Sequence, residues 1–308
     1  MRYELCGMVC NKPGVCSTDI LVFRFKSETS AIFYADYFRT SSFNSEVLLT
    51  VVGQQLPRTS WESIRKIRVP APNPDVQNEI VAECGTVDDE VTSAHASIAA
   101  ASTTVERKIA QIYASSSQVK KLPQIAFINP SKTELRAISD DTLVSFVEMA
   151  SVSEGGQITH RESRSLGHLR KGSYTYFAEN DIIVAKITPC MENGKCALAQ
   201  GLENRMGMGS TEFHVLRADP EQVLPAYLFA LINRATIRNA AAKVMTGSSG
   251  HRRVPASFYE NLEIPLPKLA EQRRIVNEIE VEQHAIAAAE AIIAAAPARK
   301  QAILQHYL

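Results

Sequence analysis

The sequence predicts an α+β protein: domains of mixed short strands and helices, separated by a long antiparallel two-helix coiled coil. Three observations predict it. A unit of chain occurs twice: Pro70, Pro72, Gln77 and Ile80 recur as Pro265, Pro267, Gln272 and Ile275, each 195 positions on. Each copy runs from a Pro-x-Pro exit into a long stretch whose apolar residues return every three or four positions, the spacing of a coiled-coil seam. Between the two stretches lie short β-prone runs bounded by turn residues.

The repeat reaches further back than the prolines. Residues 17–24 (Ser-Thr-Asp-Ile-Leu-Val-Phe-Arg) match residues 210–217 (Ser-Thr-Glu-Phe-His-Val-Leu-Arg), 193 positions on. The loop Gly53-Gln-Gln-Leu-Pro-Arg58 falls opposite Gly247-Ser-Ser-Gly-His-Arg252-Arg253. Each unit therefore reads as a strand, a helix, a Gly-led polar loop, an Ile/Val strand, Pro-x-Pro and a long helix. Proline lacks an N–H and fixes φ, which suits it to a strand exit just before a helix.

Taken in order, residues 1–73 form a partial domain. Strands are expected at 20–25 and 64–69, with a short helix at 31–38. Residues 74–118 hold the first long helix and a polar connector, with a seam through Ile80, Cys84, Val87, Val91, Ala94, Ile98, Ala101, Val105, Ile109 and Ile112. Residues 119–267 form a complete domain, with strands expected at 143–149, 174–177, 181–187, 196–199 and 213–217 and one helix at 225–244. Residues 268–308 give the second long helix, with a seam through Ile275, Ile279, Ile286, Ala289 and Ile293. Pro297 is expected to kink or break it, at a cost of about 3 kcal/mol.

A family emerges from the residues of the second unit. The segment Asp181-Ile-Ile-Val-Ala-Lys-Ile-Thr-Pro-Cys-Met-Glu-Asn-Gly-Lys195 leads to Gly209-Ser-Thr-Glu-Phe213. The loop Thr246-Gly-Ser-Ser-Gly-His-Arg-Arg-Val-Pro255 and the Pro-Leu-Pro start of the last helix complete the set. Together they resemble the specificity subunit of type I restriction–modification systems, over nearly the whole chain. The matching domain fused to some adenine-specific DNA methylases is similar. The resemblance implies a non-catalytic subunit that binds a bipartite site on double-stranded DNA. It also implies two docked methyltransferase subunits, restriction subunits recruited through the complex, no cofactor and a cytoplasmic location. One departure stands out: only half of a first recognition domain precedes Pro70, so truncation, a partner chain or a lost upstream fusion is expected.

Bulk composition agrees with that class without demanding it. The chain has 308 residues, 45% of them hydrophobic, with a formal net charge of zero, so any nucleic-acid contact must come from local basic patches. No apolar run approaches the roughly 20 residues that span a bilayer, and no signal-peptide pattern opens the chain. The six cysteines lack a Cys-x-x-Cys pair or a following His at zinc spacing, which points to reduced thiols and no metal. Catalytic signatures are also missing. The nearest approaches to an adenine-methylase Asn-Pro-Pro-aromatic motif, at Asn73-Pro74 and Asn129-Pro130, do not fit. There is no Gly-x-Gly-x-x-Gly, no Walker loop and no Gly-x-Ser-x-Gly elbow.

Candidate DNA contacts are polar and basic residues on loops. In the second domain these are Arg161, Arg164, Arg170, Lys171, Lys186, Asn193, Lys195, Ser248, Ser249, His251, Arg252 and Arg253. In the first domain the corresponding loop offers Gln54, Gln55 and Arg58. Arg and Lys neutralise phosphates, while Arg and Asn can read base edges through paired hydrogen bonds. Any one of them alone reads equally well as a solvated surface charge. Two other functions remain open: the specificity region of a single-chain adenine methylase–endonuclease, and a coiled-coil scaffold without DNA contact.

Overall fold

A computed structural model describes residues 14–17, 20–53, 58–116, 118–248 and 250–308. The chain divides into two compact units, Met1–Ala101 with His284–Leu308, and Ser102–Gln283.

In the first unit, α1 (Glu28–Tyr37), α2 (Ser41–Leu48) and the short α3 (Trp61–Ile64) lead to α4 (Pro74–Ser115). Ser27, Thr40 and Ser60 each cap a helix start with a side-chain oxygen, as those residue types favour. Phe33, Ile80, Cys84 and Leu304 form one buried cluster, with Leu304 supplied by the final helix. That helix runs antiparallel to α4, because the ion pairs Asp88–Lys300 and Glu90–Arg299 and the bond from Tyr307 Oη to Glu83 Oε1 descend one helix as they climb the other.

The second unit opens with the end of α4 and continues through β1 (Val119–Lys121), β2 (Ala126–Ile128), β3 (Leu143–Val147) and β4 (Glu162–Ser165). Next come α5 (Leu166–Arg170), β5 (Thr175–Ala178), β6 (Ile182–Ala185), β7 (Cys196–Leu198), β8 (Met206–Gly209) and β9 (Phe213–Ala218). The unit closes with α6 (Pro225–Ile232), α7 (Ala235–Lys243), α8 (Ala256–Glu260), β10 (Glu263–Pro265) and the start of α9 (Leu269–Tyr307). Two four-stranded sheets, ordered β2-β9-β6-β7 and β4-β3-β8-β5, pack face to face. Side-chain alternation assigns the layers. Ile183, Phe213 and Val215 meet Val147 and Phe177 between the sheets, while Ile182, Val184 and Leu216 face α6 and both long helices. Ile109 and Ile112 of α4 share that core with Ile275 and Ile279 of α9, and Lys108 pairs with Glu278 at 2.9 Å. Here too the helices run antiparallel.

The duplication is visible as matching hydrogen bonds. Tyr34 Oη donates to Pro70 O at 3.0 Å, and Tyr227 Oη to Pro265 O at 2.9 Å. Gln77 Nε2 donates to Pro72 O at 2.8 Å, and Gln272 Nε2 to Pro267 O at 2.9 Å. Val52 bridges Arg58 across one loop, and Thr246 bridges Arg253 across the other. The leading glycines, Gly53 and Gly247, take φ of 100° and 121°, which side chains resist.

Several expectations need correction. The described part of residues 14–73 contains three helices and no strand. The segment 20–25 joins no sheet among the described residues, whereas its counterpart β9 lies between β2 and β6. Ile20 and Val22 are consequently 56% and 65% exposed, against 2% and 0% for Phe213 and Val215. Around 64–69, Ile64 closes α3 and the rest lacks a partner of the kind β1 gives β10. The helix expected at 225–244 is two, broken at Asn233-Arg234, where Arg234 leaves to pair with Glu106 and lie over the Tyr113 ring. Pro297 does not break α9: removing one N–H leaves the following turn held by Arg299, Lys300 and Leu304.

Two measurements check these statements. Amides of residues 20–25 should exchange with solvent orders of magnitude faster than those of 213–218, since only the latter sit in a ladder. Gln272→Ala strips a fully buried carboxamide from Leu224 N, Gln222 O and Pro267 O and should cost about 2–4 kcal/mol in urea melts. Gln77→Ala, at a half-buried site with two bonds, should cost less.

Candidate nucleic-acid interface

The residues singled out in the second domain fall into two places. The first is built from the turn 186–195, the 210–214 segment and the loop 246–254. Backbone pairing holds them together: Ile187 and Thr246 both bridge Arg253, Thr188 N donates to Arg252 O at 3.0 Å, and Val254 N donates to Lys186 O at 2.9 Å. Lys186 N in turn donates to Glu212 O at 2.9 Å, which ties the turn to the start of β9. This apposition gathers Lys186, Asn193, Lys195, Ser248, His251, Arg252 and Arg253 from segments up to 67 positions apart (186 to 253).

A buried imidazole anchors the base of the loop. His214 Nε2 donates to Val254 O at 2.8 Å, and Asn129, whose Oδ1 accepts from Val215 N, offers its Nδ2 to His214 Nδ1 at 3.2 Å. That network places the single proton of a neutral ring on Nε2. Burial keeps His214 below the usual histidine range despite the Val254 carbonyl, so the ring stays uncharged.

Side-chain chemistry across the cluster is uneven. Asn193, Ser248 and His251 are exposed. Lys195 turns inward, its Nζ donating to Met149 O at 3.0 Å. Arg252 stands 3.6 Å from Glu192. Arg253 grips Glu212 with two nitrogens, at 2.9 Å from Nε and 2.7 Å from Nη2, which holds the Glu212 carboxyl below its ordinary range. Gly194, at φ 85°, sits where an added Cβ would come within 3.2 Å of the Arg238 guanidinium.

The second place is the edge of the other sheet. Arg161 binds the carbonyls of Gln200 and Gly201. Arg164 pairs with Glu162 and lies over the Phe146 ring, its Cζ 3.9 Å from the centroid. Arg170 clamps the 135–140 segment through Leu135 O, Ile138 O and Asp140. Lys171 is exposed at the end of α5. Gln54, Gln55 and Ser249 lie outside the described residues, and Arg58 is exposed in its β-bridge.

The sequence pattern missed the acids. Glu192 and Glu212 each face an arginine of the loop, yet both are distant from it in sequence and only the fold brings them there. Arg238 was also passed over, because its place beside the turn is set by the break between α6 and α7. Among the described residues no group of three or more His, Cys, Asp or Glu comes together to hold a metal, and no helix is long and apolar enough to cross a membrane.

Comparison with known proteins gives this arrangement a context. Residues 115–293 match the family model described as the type I restriction modification DNA specificity domain. Over 156 residues the chain is 40% identical to the specificity subunits of the type I restriction enzymes EcoEI and EcoAI of Escherichia coli. That stretch is 50% of this chain but only 26% of each relative. A solved structure from work on complex assembly and conformational transition of the type I R-M system is similar at a TM-score of 0.52 and 16% identity. It covers 89% of this chain and 70% of that one, and at such identity the likeness concerns the fold alone. The family match runs over more than half of the chain and takes in both sheets, the turn and the loop: the chain belongs to the type I restriction modification DNA specificity domain family.

Proposed function

We propose that this chain supplies DNA-sequence specificity to a type I restriction–modification complex and carries no catalysis of its own. The observation that carries the reading is the apposition of turn 186–195 and loop 246–254, inside the stretch that matches the specificity family. It sets polar and basic side chains on a rigid backbone platform, which is what positioned base contacts need. Residues 119–267 act as a recognition domain, and residues 1–73 as part of a second. Residues 74–118 and 268–308 supply the helices, of 42 and 39 residues, that set the spacing of a bipartite site. The recurrence of a Gly-led loop closed by an Arg bridge, at Arg58 and Arg253, supports two recognition loops rather than one. Two methyltransferase subunits dock on the chain, restriction subunits join through the complex, and the assembly works in the cytoplasm.

Roles divide by chemistry. Arg252 and Lys171 are exposed and loosely held, so they serve phosphates. Asn193 reads a base edge from the tip of the turn. Lys186, Ser248 and His251 line the same face, with Arg58 as a counterpart in the first domain. Arg161, Arg164, Arg170 and Lys195 contribute by shaping the surface, since each holds a carbonyl or carboxylate of the domain. The internal pairing of so many arginines favours the scaffold reading to that extent, and binding data separate the two.

With methyltransferase subunits present, Arg252→Ala and Lys171→Ala should each weaken binding to matched and unrelated duplexes alike and lower the salt slope by about one. Asn193→Ala should relax a single position of the site, at about 1–3 kcal/mol. Wild-type affinity, slope and mismatch profile in all three variants would leave the scaffold reading in place.

A further inference from the structure

The Glu212–Arg253 pair has a geometry that decides what Arg253 can recognise. Both backbones are fixed. Glu212 N donates to Ser210 Oγ at 3.2 Å and its carbonyl accepts from Lys186, while Arg253 is bridged on two sides by Thr246 and Ile187. A guanidinium has five N–H donors. In Arg253 the Nε–H and one Nη2–H go to the Glu212 carboxylate, and one Nη1–H goes to His251 O at 3.0 Å. Among the described residues two donors are left, one on each terminal nitrogen. The Arg253 side chain is 46% exposed and Glu212 23%, so the acid lies behind and the arginine in front.

Charge then separates two classes of ligand. A phosphate approaching Arg253 meets a carboxylate already seated on the same guanidinium, and a neutralised pair releases few counterions on binding. A neutral base edge with two adjacent acceptors meets no such repulsion and gains from a fork whose rotamer is held in advance. In the major groove that edge is O6 and N7 of guanine. The other groups facing Glu212, Lys186 and His214, act on it through space and favour its charged form. The same residue types recur in the first copy of the repeat as Asp19 and Arg58, Asp19 lying outside the described residues.

We propose that Glu212 is a positioning residue that commits Arg253 to reading a guanine edge and keeps it from serving as a phosphate clamp. This inference rests on the DNA-binding reading above.

The test uses the full chain assembled with methyltransferase subunits and a duplex site selected from a randomised pool. Each guanine in the site is replaced in turn by an analogue lacking N7. The wild-type complex should lose affinity roughly 5- to 150-fold at one guanine. Arg253→Ala, which removes every donor, should abolish the sensitivity at that guanine and leave it elsewhere. Glu212→Gln should also abolish it, while binding unrelated duplexes more tightly with a salt slope steeper by up to about one. Glu212→Asp should restore the wild-type slope.

If Glu212→Gln keeps the guanine sensitivity, or weakens binding to unrelated duplexes, Glu212 has no positioning role. If Arg253→Ala retains every sensitivity, Arg253 reads no guanine; this surface substitution decides the point even should Glu212→Gln fold poorly. A wild-type complex that prefers no sequence at all would overturn the functional reading itself, a result distinct from either.

Discussion

The structure depends on one buried carboxamide. Pro-x-Pro exits are useful because they end a strand and free the chain to start a helix, but they leave carbonyls without neighbouring N–H donors. Gln272 meets that need: its Nε2 donates to Pro267 O and Gln222 O, and its Oε1 accepts from Leu224 N. One side chain thus ties the first turn of α9 to the exit before it and to the start of α6. With Tyr227 holding Pro265 O, the angle at which α9 leaves the domain is fixed. That angle puts Ile275 and Ile279 against Ile109 and Ile112, so the seam is set from its first turn. Gln77, Ser30, Tyr34 and Pro70 repeat the device at the start of α4.

What the junction fixes, the sheets use. β9 is an inner strand of its sheet, paired on both sides, and its residues face both cores. The candidate interface grows from its leading end. Glu212 precedes the strand, and His214 within it holds the base of the 246–254 loop. The loop therefore takes its position from the core, and its chemistry is set by which acids the core brings beneath it. Segment 20–25 shows the contrast. The same pattern, in no sheet among the described residues, packs Phe23 against Phe38 and Trp61, at centroid distances of 5.2 and 5.8 Å, and leaves Ile20, Leu21 and Val22 exposed.

Much of this was legible in the sequence because the signals are periodic or covalent. The alternation of three and four through Ile80, Cys84 and Val87 needs only helix geometry, and the five expected strands of the second domain are short apolar runs between turns. Illegible features depend on partners remote in the chain. No window around Asn233 shows that Glu106 and Tyr113 draw Arg234 out of a continuous helix. None around residue 22 shows that no strand lies beside it among the described residues, so β-propensity alone points to a strand. Basic residues were found by type, but type does not reveal commitment. Arg170 and Arg253 look alike in sequence, yet Arg170 holds two backbone carbonyls and an acid of the 135–140 segment, while Arg253 holds an acid from a different part of the chain and is 46% exposed against 32%.

The central claim is that sequence choice resides in the 186–195 and 246–254 apposition. Mapping of methylated adenines in cells that carry this chain with its methyltransferase tests it most directly. The account predicts a methylated bipartite motif with one half that changes when residues 246–253 are exchanged for those of a related chain, while the spacing between halves stays the same. An unchanged motif after that exchange, or methylation independent of this chain, would contradict it.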